Sequence, residues 1–297
     1  MADNHLIAKN TVFLYIRMLL SMGIYLYTTR VVLSILGVED YGIYNVVGGL
    51  VAMFSFLNAT MSGATSRFIT FELGKNSSKV QTVFSVALTI HIIIALIVFL
   101  IGETFGLWFL ENKLTIPATK MYEAKWLLQF SIVTMIFSFT QVPYNASIIA
   151  HEKMNIYAYF ELVNVGLKLL SVYLLLIIDA NKLIFYGAIV MLTQIGVTLL
   201  YRLYCTRKWE HCKFNLSLDR EFLRPLLSYS GWDLFGNASL VARTQGVNVL
   251  LNIFFGAILN AAAGIAMQVQ TAAMSFATNV MTAFRPQIVK TYAAKSY

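Results

Sequence analysis

The sequence predicts an all-α integral membrane protein, and three observations carry that prediction. Of its 297 residues 58% are apolar and only 12% are charged, against about 25% charged in a soluble domain. Eight apolar runs reach the length of about 20 residues that a spanning helix needs. The segments between them alternate in basic charge, as membrane loops do on opposite faces.

The runs are Asn10–Leu36, Tyr41–Phe71, Val80–Leu110, Met121–Ala150, Asn155–Ile178, Leu183–Tyr204, Leu226–Phe255 and Asn260–Tyr292. Several exceed the minimum, which implies tilt or projecting ends. The first is too long for a signal-peptide core and runs into Glu39 and Asp40 rather than a small-residue cleavage site, so it stays as an anchor. Runs three and six are the most uniformly apolar, which suits peripheral, lipid-facing positions.

One side of the alternation carries Lys9, Arg67 to Lys79, Lys153, the stretch from Arg202 to Arg224, and Arg285 to Lys295. The other carries Arg30, Lys113, Lys120 and Lys182 among Glu39, Asp40, Glu103, Glu111 and Asp179. The Lys/Arg excess puts the first side, and the N-terminus, in the cytoplasm. A net charge of +8 is then explained by basic loops rather than by nucleic acid. Cys205 and Cys212 fit no zinc or redox spacing and read as free thiols on a reducing face.

The longest polar stretch, 206–224, reads as a basic cytoplasmic linker. It divides a six-helix lobe, 1–205, from the first two helices of an incomplete second lobe, 225–297. A weak internal repeat supports the division. Leu36-Gly37 then Gly42 is matched by Phe255-Gly256 then Gly264, and Met61-Ser62-Gly63-Ala64 by Met281-Thr282-Ala283-Phe284, each followed by an arginine, Arg67 and Arg285. An even number of helices per copy makes the repeat parallel. The second copy stops after two helices, so a piece of a longer protein is expected.

A helix in lipid needs no polar face, so polar stripes must face protein or water. Run five carries Glu161, Asn164 and Lys168 at helical spacing; run seven carries Asp233, Asn237, Arg243 and Asn248; run eight carries Gln268. Run one carries Arg17 well inside its basic end. A charge near the bilayer centre costs about 2.5–3.5 kcal/mol on the gentler insertion scale. Arg17, Lys168 and Arg243 would make a buried cavity net positive and suited to an anionic ligand. Glu161 and Asp233 serve either to couple an ion or to neutralise these cations by salt bridges. Asn164, Asn237, Asn248 and Gln268 line the same hollow. Small residues along run two serve equally well for close helix packing. His91 is expected to hydrogen-bond a neighbour.

No catalytic pattern is present. There is no phosphate-binding loop, no metalloprotease or serine-hydrolase signature and no metal-ligand spacing, and the outer loops are too short to house an enzyme site.

The stretch Arg30-Val31-Val32-Leu33 to Leu36-Gly37-Val38-Glu39-Asp40-Tyr41-Gly42-Ile43-Tyr44 resembles the polysaccharide and O-antigen flippases of the multidrug/oligosaccharidyl-lipid/polysaccharide (MOP) exporter superfamily. The resemblance implies a MOP/MATE-like six-helix N-terminal bundle followed by the first two helices of a second bundle. It implies alternating access, undecaprenyl-pyrophosphate-linked oligosaccharides as substrate, and a bacterial inner (cytoplasmic) membrane location. It also implies no enzymatic activity and no cofactor, with coupling to H+ or Na+ and with a polysaccharide polymerase and glycosyltransferases as neighbours. Its rivals are a multidrug or organic-cation antiporter of the same superfamily, which would want an acidic cavity, and a membrane enzyme of polysaccharide assembly, which would want a catalytic loop.

Overall fold

In the computed structural model the residues described are 4–52, 54–75, 78–114, 116–178, 181–237 and 239, together with 270, 274, 277–278, 280–282, 284–286, 288–289 and 291–293. Among them every regular element is a helix. They are α1 (Asn4–Ala52), α2 (Ser55–Gly74), α3 (Val80–Ile101), α4 (Leu107–Asn112), α5 (Met121–Ala150), α6 (Met154–Ile177) and α7 (Lys182–Lys208), then α8, residues 220–237. Five stretches among the described residues are long and apolar enough to cross a bilayer: Val12–Gly37, Val80–Asn112, Ala118–Ala150, Met154–Ile177 and Lys182–Lys208. The chain is a multi-pass membrane protein.

The first two expected spans are joined within α1 by a corner at Gly37, whose φ of 77° and ψ of 172° lie in a region essentially reserved for glycine. No neighbour would obstruct a Cβ there, so backbone geometry alone requires the glycine. The second expected span is helical to Ala52, turns at Phe54 and resumes as α2 to Gly74. The helix that ends as α4 passes from α3 through a π-helical turn, Gly102–Gly106. Glu103 in this turn accepts a hydrogen bond from Gln129 of α5 at 3.1 Å. A Cβ on Gly102 would come within 2.7 Å of Ile132, and one on Gly187 within 2.5 Å of Leu127. Glycine therefore lets α3 and α7 lie tightly against α5, the central helix of the bundle.

Run three is not peripheral. From Val83 to His91 every residue of α3 is buried, in a core shared with Ile148 of α5, Tyr201 of α7 and Phe222 and Leu226 of α8. An apolar surface satisfies lipid and protein equally, so uniform apolarity could not tell the two neighbours apart. His91 is fully enclosed, its Nδ1 2.7 Å from the Ala87 carbonyl of its own helix.

The charged side chains between the helices pair locally. At the acidic end Lys120 pairs with Asp40 at 2.7 Å, Lys125 with Glu111 at 2.6 Å, and Asn181 donates to Glu123 at 2.9 Å. At the basic end Trp209 and His211 stack on His151, with ring centroids 4.1 and 5.1 Å away. Cys205 and Cys212 are free and buried beneath them. α8 starts six residues before the expected Leu226, because Asp219 caps it by accepting from the Glu221 amide at 2.9 Å. Lys79 reaches Glu221 at 2.6 Å and so fastens the start of α8 beside α3.

Candidate functional site

Two polar levels are stacked along the seam where α1 meets α6. The lower level, towards the basic end, centres on Tyr157 of α6. The Arg17 guanidinium lies 4.9 Å from its ring centroid, and Asn145 of α5 and Glu161 of α6 also face its hydroxyl. Asn164 donates to Glu161 at 3.4 Å. The Asn145 and Asn164 side-chain oxygens and the Tyr201 hydroxyl are buried here without a hydrogen-bond partner among the described residues. A buried group of this kind left unpaired costs about 1–3 kcal/mol. No ion pair among the described residues includes Glu161 or Lys168.

The upper level is a cavity of about 140 Å³ lined by Tyr25, Thr28, Thr29 and Val32 of α1, Tyr41 and Tyr44 beyond its corner, Lys168 and Ser171 of α6, and Tyr186 and Val190 of α7. The corner at Gly37 folds Tyr41 and Tyr44 back towards the same hollow as Tyr25. Tyr44 and Tyr186 meet with ring centroids 4.8 Å apart. Tyr44 and Val190 also border a second cavity of about 230 Å³, whose polar lining is Ser131, Thr134, Ser138 and Gln194. Ser131, Thr134 and Ser138 of α5 thus face this hollow. The whole is a cleft of hydroxyls and tyrosine rings with one ammonium, that of Lys168. This lysine sits nine residues before the end of α6, about 14 Å below it.

Arg17 and Lys168 sit at two levels of one seam: Tyr157, which Arg17 covers, precedes Lys168 by eleven residues, a rise of about 16 Å. Asp233 and Asn237 of α8 are elsewhere, against α2. Asn237 donates to Thr60 at 3.0 Å and to Asp233 at 3.4 Å, while Arg285 donates to the Gly63 carbonyl at 3.4 Å. Arg243, Asn248 and Gln268 lie outside the described residues. Sequence reasoning missed Tyr41, Tyr44 and Tyr186 as cleft residues. The signal available was Tyr41 and Tyr44, three apart just beyond a helix-ending glycine.

No protein-family model and no curated protein matches the sequence. Solved structures do match. A multidrug resistance MATE family transporter of the MOP superfamily, in an outward-facing conformation, superposes with TM-score 0.78 at 15% identity, over 97% of this chain and 65% of that one. A MOP superfamily transporter from Pyrococcus furiosus, described as having a binding pocket of reverse polarity, gives 0.77 at 16% identity, over 97% and 65%. A MATE bound to MaD5 gives 0.77 at 14% identity, over 100% and 70%. This chain has the MOP transporter fold. At such identities the likeness is one of fold, and the chain spans about two thirds of the length of these proteins.

Proposed function

We propose that this protein is a MOP-superfamily transporter that flips an oligosaccharide linked to undecaprenyl pyrophosphate, the repeat unit of an O-antigen, capsule or exopolysaccharide. It moves the unit from the cytoplasmic to the periplasmic face of a bacterial inner membrane by alternating access. The observation that carries this reading is Lys168, a membrane-embedded ammonium with no carboxylate at ion-pair distance among the described residues, in a cleft of tyrosines and hydroxyls. Tyrosine faces pack on the C–H faces of sugar rings, serine, threonine and glutamine bond their hydroxyls, and the ammonium balances an acidic sugar or phosphate.

In the same reading the basic loops are cytoplasmic, as is the N-terminus. Residues 1–205 form the first lobe, 206–224 the linker and 225–297 the start of the second. Arg17 and Arg243 complete the cationic path, with Asn237, Asn248 and Gln268 along it. Glu161, beside Asn164 and Tyr157, is the group that couples H+ or Na+, with Asp233 as a second. The partners are the polymerase and glycosyltransferases that handle the same glycan.

A second reading, an organic-cation antiporter, is favoured by the same rings, because tyrosine faces attract cations. The experiment that separates them is deletion of the full-length gene. Flipping predicts loss of surface polysaccharide with lipid-linked repeat units retained on the cytoplasmic face. Intact polysaccharide with impaired dye export selects the antiporter.

A further inference from the structure

On the other side of α5 from the polar cleft, a groove of about 330 Å³ runs between α3, α5 and α7. Its deep end is apolar, built by Leu88, Ile92, Ile136 and Leu199, and its end towards the basic face holds Tyr144 and Arg202. We propose that this groove binds an anionic phospholipid of the leaflet on the basic side. Its phosphate sits on Arg202 and one acyl chain lies along the apolar floor.

Four observations carry the proposal. Arg202 is exposed, and its guanidinium makes no ion pair or hydrogen bond with a described side chain. It stands six residues before the end of α7 at Lys208, about 9 Å along the axis, which is headgroup depth for a helix whose end projects past the hydrocarbon. The groove is open on its outer side, where Leu199 remains about half exposed. It is also walled off from the cleft. Gln194 donates to Gln141 at 2.8 Å and to Thr198 at 3.3 Å, and Thr198 donates to Gln141 at 3.2 Å. A head group in the cleft does not cross that wall, so the occupant is a resident bilayer lipid and not the cargo. A planar guanidinium grips phosphate oxygens in pairs, which an exposed arginine merely reaching for water does not do.

The test is native mass spectrometry of the purified full-length protein with phosphatidylglycerol or phosphatidylcholine. Wild type should retain one phosphatidylglycerol in preference to phosphatidylcholine. Arg202→Gln should weaken that retention about tenfold, and Ile92→Trp, which fills the deep end, should lower it as well. Arg207→Gln, the same charge loss outside the groove, should leave it unchanged, and Arg202→Lys should keep part of it. Equal losses in Arg202→Gln and Arg207→Gln, or no preference for the anionic lipid, would overturn the site. Displacement of phosphatidylglycerol by equimolar polyprenyl phosphate would also overturn it, since the groove would then belong to the cargo.

Discussion

Lys168 is retained at a cost. A cation near the bilayer centre opposes insertion by about 2.5–3.5 kcal/mol, and no described carboxylate at ion-pair distance offsets it. A purely structural lysine would lower Tm when removed. Lys168→Ala should instead leave Tm unchanged or raise it in a thermal-unfolding measurement. Gly37 works the opposite way. Its φ of 77° with ψ of 172° lies in a region essentially reserved for glycine, so Gly37→Ala should cost about 1–3 kcal/mol, read as a lower Tm and reduced folded yield. Both residues were legible in the sequence, Lys168 from its spacing to Glu161 and Gly37 from closing a run before an acidic pair. Tyr44 and Tyr186 were not. A tyrosine in a spanning helix looks alike whether it meets headgroups or lines a cleft, and for Tyr44 the corner at Gly37 decides which.

Among the elements, α3 separates what patterning can and cannot reveal. Its existence and its start at Val80 follow from length and apolarity, but the π-helical turn that ends it and its neighbour do not. Ala87 is fully buried in the shared core while Leu96 stands exposed. Ala87→Trp should therefore destabilise the protein by about 1–3 kcal/mol through overpacking, and Leu96→Trp should change Tm little. The start of α8 was hidden for a different reason: its first turn is charged and reads as linker, and only the Asp219 cap reveals the helix. The Lys79–Glu221 tie fixes that turn. Its hydrogen bond to Glu221 raises the Lys79 pKa above the ordinary lysine value, so the tie is whole below that value and is lost as pH rises through the raised one. It is insensitive to pH near neutrality. Lys79→Glu and Glu221→Lys should each loosen the start of α8, seen as faster amide exchange over residues 220–226, and the double exchange should restore protection.

For the whole molecule, apolar runs, charge alternation and the run through Gly37 to Tyr44 were enough to anticipate the MOP fold. The site was only half visible. A stripe tells which side chains share a helix face, but not the depth at which they meet a neighbouring helix: Arg17 meets α6 at Tyr157, about 16 Å along the helix from Lys168. The central claim is that Lys168 and the tyrosine cleft receive an anionic glycan head during translocation. Its most direct measurement is the amount of lipid-linked repeat unit on each membrane face in cells whose chromosomal gene carries Lys168→Ala or Lys168→Arg. Lys168→Ala should accumulate repeat unit on the cytoplasmic face and lose at least about tenfold in surface glycan, with Lys168→Arg retaining most of it. Wild-type surface glycan and no accumulation in a normally expressed Lys168→Ala protein would contradict it.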